Sequence, residues 1–281
     1  MTKLQYTIFD SSFLPFGSHS LSFGGDRRGE SPRSFDWVPN IRVPGPIFYT
    51  DIRLHDVTQH NQFMCKKIAL LIEPTWKPSH YREAERLSSH FDYILSHNRD
   101  LCVPQEKLLW YPHGGSWIRD EEWHYLPEKS KLVSMMISEK VGAPGHRLRH
   151  TINKHFGDRV DVYGRSINPI ASKVTALRDY LYSIVIEPER TNDYFTEKII
   201  DCLSQCTVPI YWGTPNICNH FDCNGIITLD SADNVFDILA SLSSEDYRSR
   251  LDAILLNQRT ARSFTCAEDY IFQHYPFLFQ E

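Results

Sequence analysis

Short apolar runs of strand length recur along this chain, most of them followed by a segment of helical composition, and this alternation restricts the fold more than any other feature. In the first half, residues 47–50, 66–72, 91–95 and 107–111 read as strands, with a helix over 78–90. The run Ile68-Ala69-Leu70-Leu71-Ile72 is continuously apolar, as in a parallel strand buried on both faces. A polar, charged stretch over 119–131 reads as a linker, with the Asp120-Glu121-Glu122 cluster solvated, and after it the pattern restarts. Residues 132–138, 159–163, 182–186, 208–212 and 225–229 read as strands, and 146–156, 173–180, 197–205 and 234–242 as helices. Strands that alternate with helices build parallel sheets through right-handed crossovers. Two such runs predict an α/β chain of two Rossmann-like, doubly wound domains, 1–125 and 126–265. The aromatic tail, 266–281, is expected to pack and to cross back to the first domain. Residues 1–45 are broken by Gly17, Gly24, Gly25, Gly29, Pro32, Pro39 and Pro44, and read as loops. Ligands of such folds bind at the carboxyl ends of the strands, so the expected site is a cleft between the domains.

Composition narrows the function classes. A net charge of −5 argues against a nucleic-acid binder, which carries a strongly basic face. No apolar run approaches the roughly 18 residues of a membrane span. No leader opens the chain, so the expectation is a soluble, cytoplasmic protein consisting of a catalytic core. The seven cysteines are odd in number and scattered, which does not make a disulfide framework. Cys202/Cys206 and Cys218/Cys223 are spaced too widely for a zinc site, so reduced, mostly buried thiols are expected.

The segment most rich in chemistry is YSIVIEPERTNDYFTEKIIDCLSQCTVPIYWGTP, residues 182–215. A buried strand ends in Glu187, a polar loop comes next, and Tyr194-Phe195-Thr196-Glu197-Lys198 opens a helix. The free N–H groups at that helix start favour an anion. Lys198 opposes the helix dipole, which makes sense when an anion such as a diphosphate lies between them. Upstream, Glu73 ends the 66–72 strand and is placed to act as a general base. Its rivals are Asp51, Asp56, His97, Asp100 and His113. The turn His113-Gly114-Gly115 suits a close approach to a ligand, so His113 and Gly114 are candidate acceptor residues.

This segment resembles the donor-binding signature of the α-1,3/4-fucosyltransferase family: a strand ending in Phe-Glu-Asn, then Tyr-x-Thr-Glu-Lys, then a strand leading to Gly-x-Pro. Residues 132–164 are similar to the family's strand, Ala-Pro loop, arginine, helix and Val-Asp-Val-Tyr-Gly. The N-terminal half resembles the family more faintly, through Glu73 and Phe91-Asp92-Tyr93. The resemblance implies a GT-B fold and inverting glycosyl transfer. It places Glu73 as catalytic base and Arg149 on the donor diphosphate, with Arg147 as competitor, and Lys198 beside it. It further implies that Tyr194, Thr196 and Glu197 position the nucleotide and that Glu187 meets the sugar. The implied partners are a nucleotide-sugar donor, GDP-fucose first, and a glycan acceptor, with no cofactor required.

The chain departs from that signature where Asn comes after each strand-end glutamate: here stand Pro74 and Pro188. Proline lacks both the amide side chain and the N–H. A UDP-sugar such as UDP-xylose is therefore the runner-up donor, and a non-catalytic nucleotide-sugar-binding module the alternative class. No Asp-x-Asp motif, phosphate loop or Gly-x-Ser-x-Gly elbow occurs, so a metal-independent site is expected in place of a GT-A enzyme, P-loop enzyme or serine hydrolase.

Overall fold

The computed structural model describes residues 3–12, 14 and 18–280, so Gly17 of the expected N-terminal loop lies outside the described residues. The chain divides into two compact units, residues 1–115 with 266–281, and residues 116–265.

The first unit is built on β1 (Leu4–Phe9), β2 (Phe35–Pro39), β3 (Ile47–Thr50), β4 (Lys67–Leu70), β5 (Tyr93–Ser96) and β6 (Leu108–Trp110). All pair in parallel, in the order β2-β1-β3-β4-β5-β6. The apolar run around β4 is buried on both faces because its side chains alternate between two cores. Ile68, Leu70 and Ile72 pack with Tyr6, Ile8 and Phe35, whereas Ala69 and Leu71 pack with Tyr49, Leu54 and Ala84. Each fully buried Ile or Leu contributes about 1.5–3 kcal/mol. Helix α1 (Pro78–Arg86) covers the second face through Tyr81 and Ala84.

The N-terminal region departs from expectation, since residues 1–45 hold two strands. β1 is sandwiched between β2 and β3, and β2 lies at the sheet edge. An edge strand tolerates a terminal proline such as Pro39, so proline was no bar to a strand there.

The second unit carries β7 (Lys131–Met136), α2 (Pro144–Phe156), β8 (Asp161–Tyr163), β9 (Tyr180–Ile186), α3 (Glu197–Ser204), β10 (Val208–Trp212), β11 (Ile227–Thr228), α4 (Val235–Ser241), α5 (Ser244–Ser249) and α6 (Leu251–Ala261). Its strands are parallel, in the order β11-β10-β9-β7-β8. Two sequence expectations are corrected here. The helix over 173–180 is only a 3-10 turn, Lys173–Ala176, because Tyr180 already opens β9. Residues 116–125 belong to this unit and not to the first. Ile118 and Trp123 are buried among Phe195, Ile199 and Ile200, and Ser116 and Trp117 hydrogen-bond to Asp201.

The tail returns to the first unit as α7 (Ala267–His274) and a 3-10 turn, Pro276–Phe279. The fully buried Glu268 carboxylate fastens it, accepting bonds from Ser20 Oγ at 2.8 Å, Leu21 N at 2.6 Å and Trp37 Nε1 at 3.3 Å. Among the cysteines, Cys218 and Cys223 form a disulfide, against the expectation of thiols throughout; a tight turn brings their Cα atoms to 5.3 Å. Cys202 and Cys206 are buried thiols. Among the described residues, no helix is long and apolar enough to cross a membrane.

Candidate active site

The site of the second unit starts from β9. Its apolar residues Ile184, Val185 and Ile186 are buried, and the strand delivers Glu187 to its carboxyl end. Glu187 is fully buried, and its carboxylate is used by the protein itself. It accepts from Thr196 N at 2.9 Å and Thr196 Oγ1 at 2.8 Å, and pairs with Lys198 Nζ at 3.3 Å. Thr196 is the N-cap of α3, its hydroxyl accepting from Lys198 N. Ile199, Ile200 and Leu203 bury the inner face of α3, which fixes where the helix begins. Lys198 Nζ also reaches Thr196 Oγ1 at 2.8 Å and Glu197 Oε1 at 3.4 Å. A lysine that opposes the helix dipole is thus held by two carboxylates.

Helix α2 supplies the arginine. Gly145, in its first turn, lies so close to the Glu187 carbonyl that a Cβ there would collide with it. Its N–H donates to Pro188 O at 2.9 Å, docking α2 onto the end of β9. Arg149, one turn on, is 7% exposed and donates to Ile186 O at 2.5 Å. Burial lowers its pKa, while Glu187, Glu197 and Tyr194 oppose that shift, so the guanidinium remains charged. Arg147 is exposed and bonds the carbonyl of Gly142 at 2.8 Å.

These elements enclose a cavity of about 560 Å³ lined by Arg149, Glu197, Lys198 and Pro188, among others. Of the residues read from sequence, those three charged groups line it together. Arg147, Glu187, Tyr194 and Thr196 do not. Glu187, expected at the sugar, is instead sealed behind the helix cap because its oxygens are spent on Thr196 and Lys198. Tyr194 is 3% exposed.

Sequence reading missed Trp117, Lys140, His146, Arg165 and Lys173 on the cavity wall. The lining cations Lys140, Arg149, Arg165, Lys173 and Lys198 outnumber the acids Glu139 and Glu197, so the cavity favours an anion. His146 adds no charge at neutral pH. Burial first, then Arg149, Lys140 and Lys198, push its pKa down to about 4. Its Nδ1 accepts from Ala143 N at 3.2 Å, which leaves the proton of the neutral ring on Nε2. The charge pattern of 138–149, SEKVGAPGHRLR, hinted at Lys140 and His146, whereas Trp117, Arg165 and Lys173 lie outside it.

In the first unit, Glu73 lies just beyond β4 with its side chain 25% exposed and paired to Lys77 at 2.9 Å. Its backbone is held firmly: the carbonyl accepts from Tyr81 Oη at 2.7 Å, and the N–H donates to Asp51 Oδ2 at 3.3 Å, beside the Ile72 N–H that donates to Asp51 Oδ1 at 3.0 Å. Asp51 is 2% exposed and sits at φ 32°, a strained conformation for a non-glycine residue. Burial, with the charges of Glu73 and Asp10 adding to it, raises its pKa to about 7 against the bonds from Ile72 and Glu73 N–H. Of the other rivals, Asp56 is tied to Arg53 and His55, Asp100 is exposed, and His97 is fully buried beside Tyr81. His113 is half-buried and Gly114 takes φ 53° in the loop after β6.

Residues 126–248 match the model of glycosyltransferase family 10 (fucosyltransferase), C-terminal part. An α-(1,3)-fucosyltransferase, FucT, of Helicobacter pylori is 31% identical over 65 residues, 23% of this chain and 14% of that protein. The fold is similar to a crystal structure of α1,3-fucosyltransferase, with a TM-score of 0.57 at 15% identity, covering 99% of this chain and 93% of that one. A structure of α1,3-fucosyltransferase with GDP-fucose gives 0.53 at 14% identity, covering 89% and 81%. The matches span 38%, 14% and 40% of the lengths of the curated relatives. Over residues 126–248 the chain is therefore similar in sequence to glycosyltransferase family 10 (fucosyltransferase), and over nearly all of its length it has the α/β, GT-B-like fold of an α1,3-fucosyltransferase.

Proposed function

We propose that the chain is an inverting glycosyltransferase that moves fucose from GDP-fucose to a hydroxyl of a glycan acceptor. The observation that carries this reading is the cavity in which the buried Arg149 and the cap-held Lys198 converge at the start of α3. A preorganised fork and a point charge at a helix N-terminus stabilise a departing diphosphate without reorganisation. In this reading Arg149 and Lys198 hold the diphosphate, Glu197 orients the nucleotide, and Thr196 and Glu187 hold Lys198 in place. Glu73 takes the proton from the acceptor hydroxyl as its oxygen attacks the anomeric carbon, and the diphosphate leaves from the opposite face. The cations and the helix end supply the charge that a metal supplies in other transferases, so activity is expected to survive chelation by EDTA. Similarity to a fold known with GDP-fucose supports that donor. A UDP-sugar such as UDP-xylose is the second reading, favoured by Pro188, which puts a ring on the cavity wall where the family signature has an amide.

The test is a thermal-shift panel with GDP, UDP, GDP-fucose and UDP-xylose, because a ligand of the native state raises the melting temperature. The GDP series is expected to stabilise the protein, and Lys198→Ala to weaken GDP binding by about 10- to 150-fold, as for loss of a charge-assisted bond. No shift with any nucleotide would refute the assignment.

A further inference from the structure

We propose that Trp117 is the platform on which the base of the donor nucleotide stacks, held in place by Asp201 and Lys173. This inference rests on the proposed nucleotide-sugar site and gives it a binding surface for the base.

Trp117 lines the cavity and is 40% exposed, although Ile118 beside it and Trp123 nearby are buried at 0% and 7%. Nothing in the packing of the core requires an open indole there. Its backbone is nevertheless held in place, and a cation lies over its ring. Asp201 Oδ1 accepts from Trp117 N at 2.9 Å and from Ser116 Oγ at 2.9 Å. Asp201 Oδ2 pairs with Lys173 Nζ at 2.7 Å, and that ammonium stands 4.2 Å from the indole centroid. One fully buried carboxylate therefore fixes both the backbone of the tryptophan and the cation against its ring. The ammonium stays charged, since Asp201 and Glu197 more than offset its burial. A buried ion pair is a poor source of stability, and its best attested use is to specify one arrangement. Here that arrangement is an aromatic ring presented to an anion-binding cavity.

The ring is also joined to the phosphate end. Glu197 Oε1 lies 3.5 Å from Lys173 Nζ and 3.4 Å from Lys198 Nζ. The wall thus runs from Lys198 through Glu197 and Lys173 to the indole, so cations for phosphates, a carboxylate for ribose hydroxyls and a flat π-surface for a base share one wall. Every base has a π-face, and stacking on an aromatic side chain is worth about 1–3 kcal/mol.

The experiment is calorimetric titration of the whole chain with GDP, UDP and inorganic pyrophosphate, using wild type, Trp117→Ala and Trp117→Phe. For whichever nucleotide the wild type binds, Trp117→Ala is expected to weaken affinity by about 5- to 150-fold. Pyrophosphate affinity is expected to stay unchanged, and Trp117→Phe to recover most of the nucleotide affinity. Unchanged nucleotide affinity in both variants overturns the proposal. So does an equal loss for pyrophosphate, which would mark a disturbed phosphate site. Wild type that binds pyrophosphate and nucleotide while Trp117→Ala is silent sinks this inference alone; wild type that binds none of the three sinks the proposed function as well. If Trp117→Ala does not fold, its role falls to Trp117→Leu, which keeps apolar bulk without a ring: it is expected to lose nucleotide affinity alone, and wild-type affinity overturns the proposal.

Discussion

In each unit a parallel strand leads into a Glu-Pro pair, and the two glutamates have opposite fates. Glu187, after β9, is fully enclosed, and its carboxylate caps and tethers the start of α3. Glu73, after β4, keeps a quarter of its side chain in solvent, while its backbone is clamped by Tyr81 and Asp51. The difference lies in the residues that come next along the chain. Nine residues after Glu187 comes a threonine N-cap that needs an acceptor, and eleven residues after it a lysine that needs a counter-charge. After Glu73 the chain turns into α1, and Lys77, the residue before that helix, pairs with its carboxylate. The same local sequence therefore makes a structural clamp in one unit and an available carboxylate in the other.

This contrast is open to a direct attack. The largest effect is expected from Glu73→Gln, which should lower turnover by about 10²–10⁴-fold, the usual range for losing a general base, with GDP affinity and melting temperature preserved. Normal turnover in that variant would remove Glu73 from the chemistry. Glu187→Ala should do the reverse. It leaves Lys198 and the Thr196 N–H without their buried partner, so urea denaturation should show a loss of about 3 kcal/mol, accompanied by weaker GDP binding. A stable Glu187→Ala protein with normal GDP affinity would mean that the clamp is idle.

Asp51 sharpens the comparison through pH. Its carboxyl is raised from the ordinary aspartate value of 3.8 to about 7, so between those values the folded protein holds a proton that the unfolded chain has released. Stability from this group is complete below about pH 4 and is lost as pH rises toward 7. Asp51→Asn keeps an acceptor for Ile72 N–H and cannot ionise; its denaturation midpoint should change less than that of wild type between pH 5 and 8. Equal slopes would show that Asp51 does not carry the dependence. The smallest effect is expected from Lys77→Ala. An exposed pair contributes about 0–1 kcal/mol, so stability should barely move, and any change should appear in the pH profile of turnover.

Much of the architecture was readable because periodicity and buried runs are local properties. Nine of the strands, the start of α3 and the apolar face of that helix all arise from such patterns. β1 and β2 were hidden because glycine and proline around them signal loops, while their strand character comes from neighbours far along the chain. The two arginines of α2 lie two residues apart, and only the packing of Gly145 against β9 turns Arg149 inward and leaves Arg147 in solvent. The Cys218–Cys223 bond likewise depends on a turn that the spacing alone did not announce.

By itself the sequence determined two parallel α/β layers and an anion-seeking helix start, because each rests on residues within a turn or a strand of one another. The tertiary structure decided which charges share a cavity, which glutamate is spent on a lysine, and that Trp117, Lys173 and Asp201 meet. Those three lie up to 84 residues apart, and only the packing of α3 under β9 and beside the 116–125 segment brings them within hydrogen-bonding and cation–π distance.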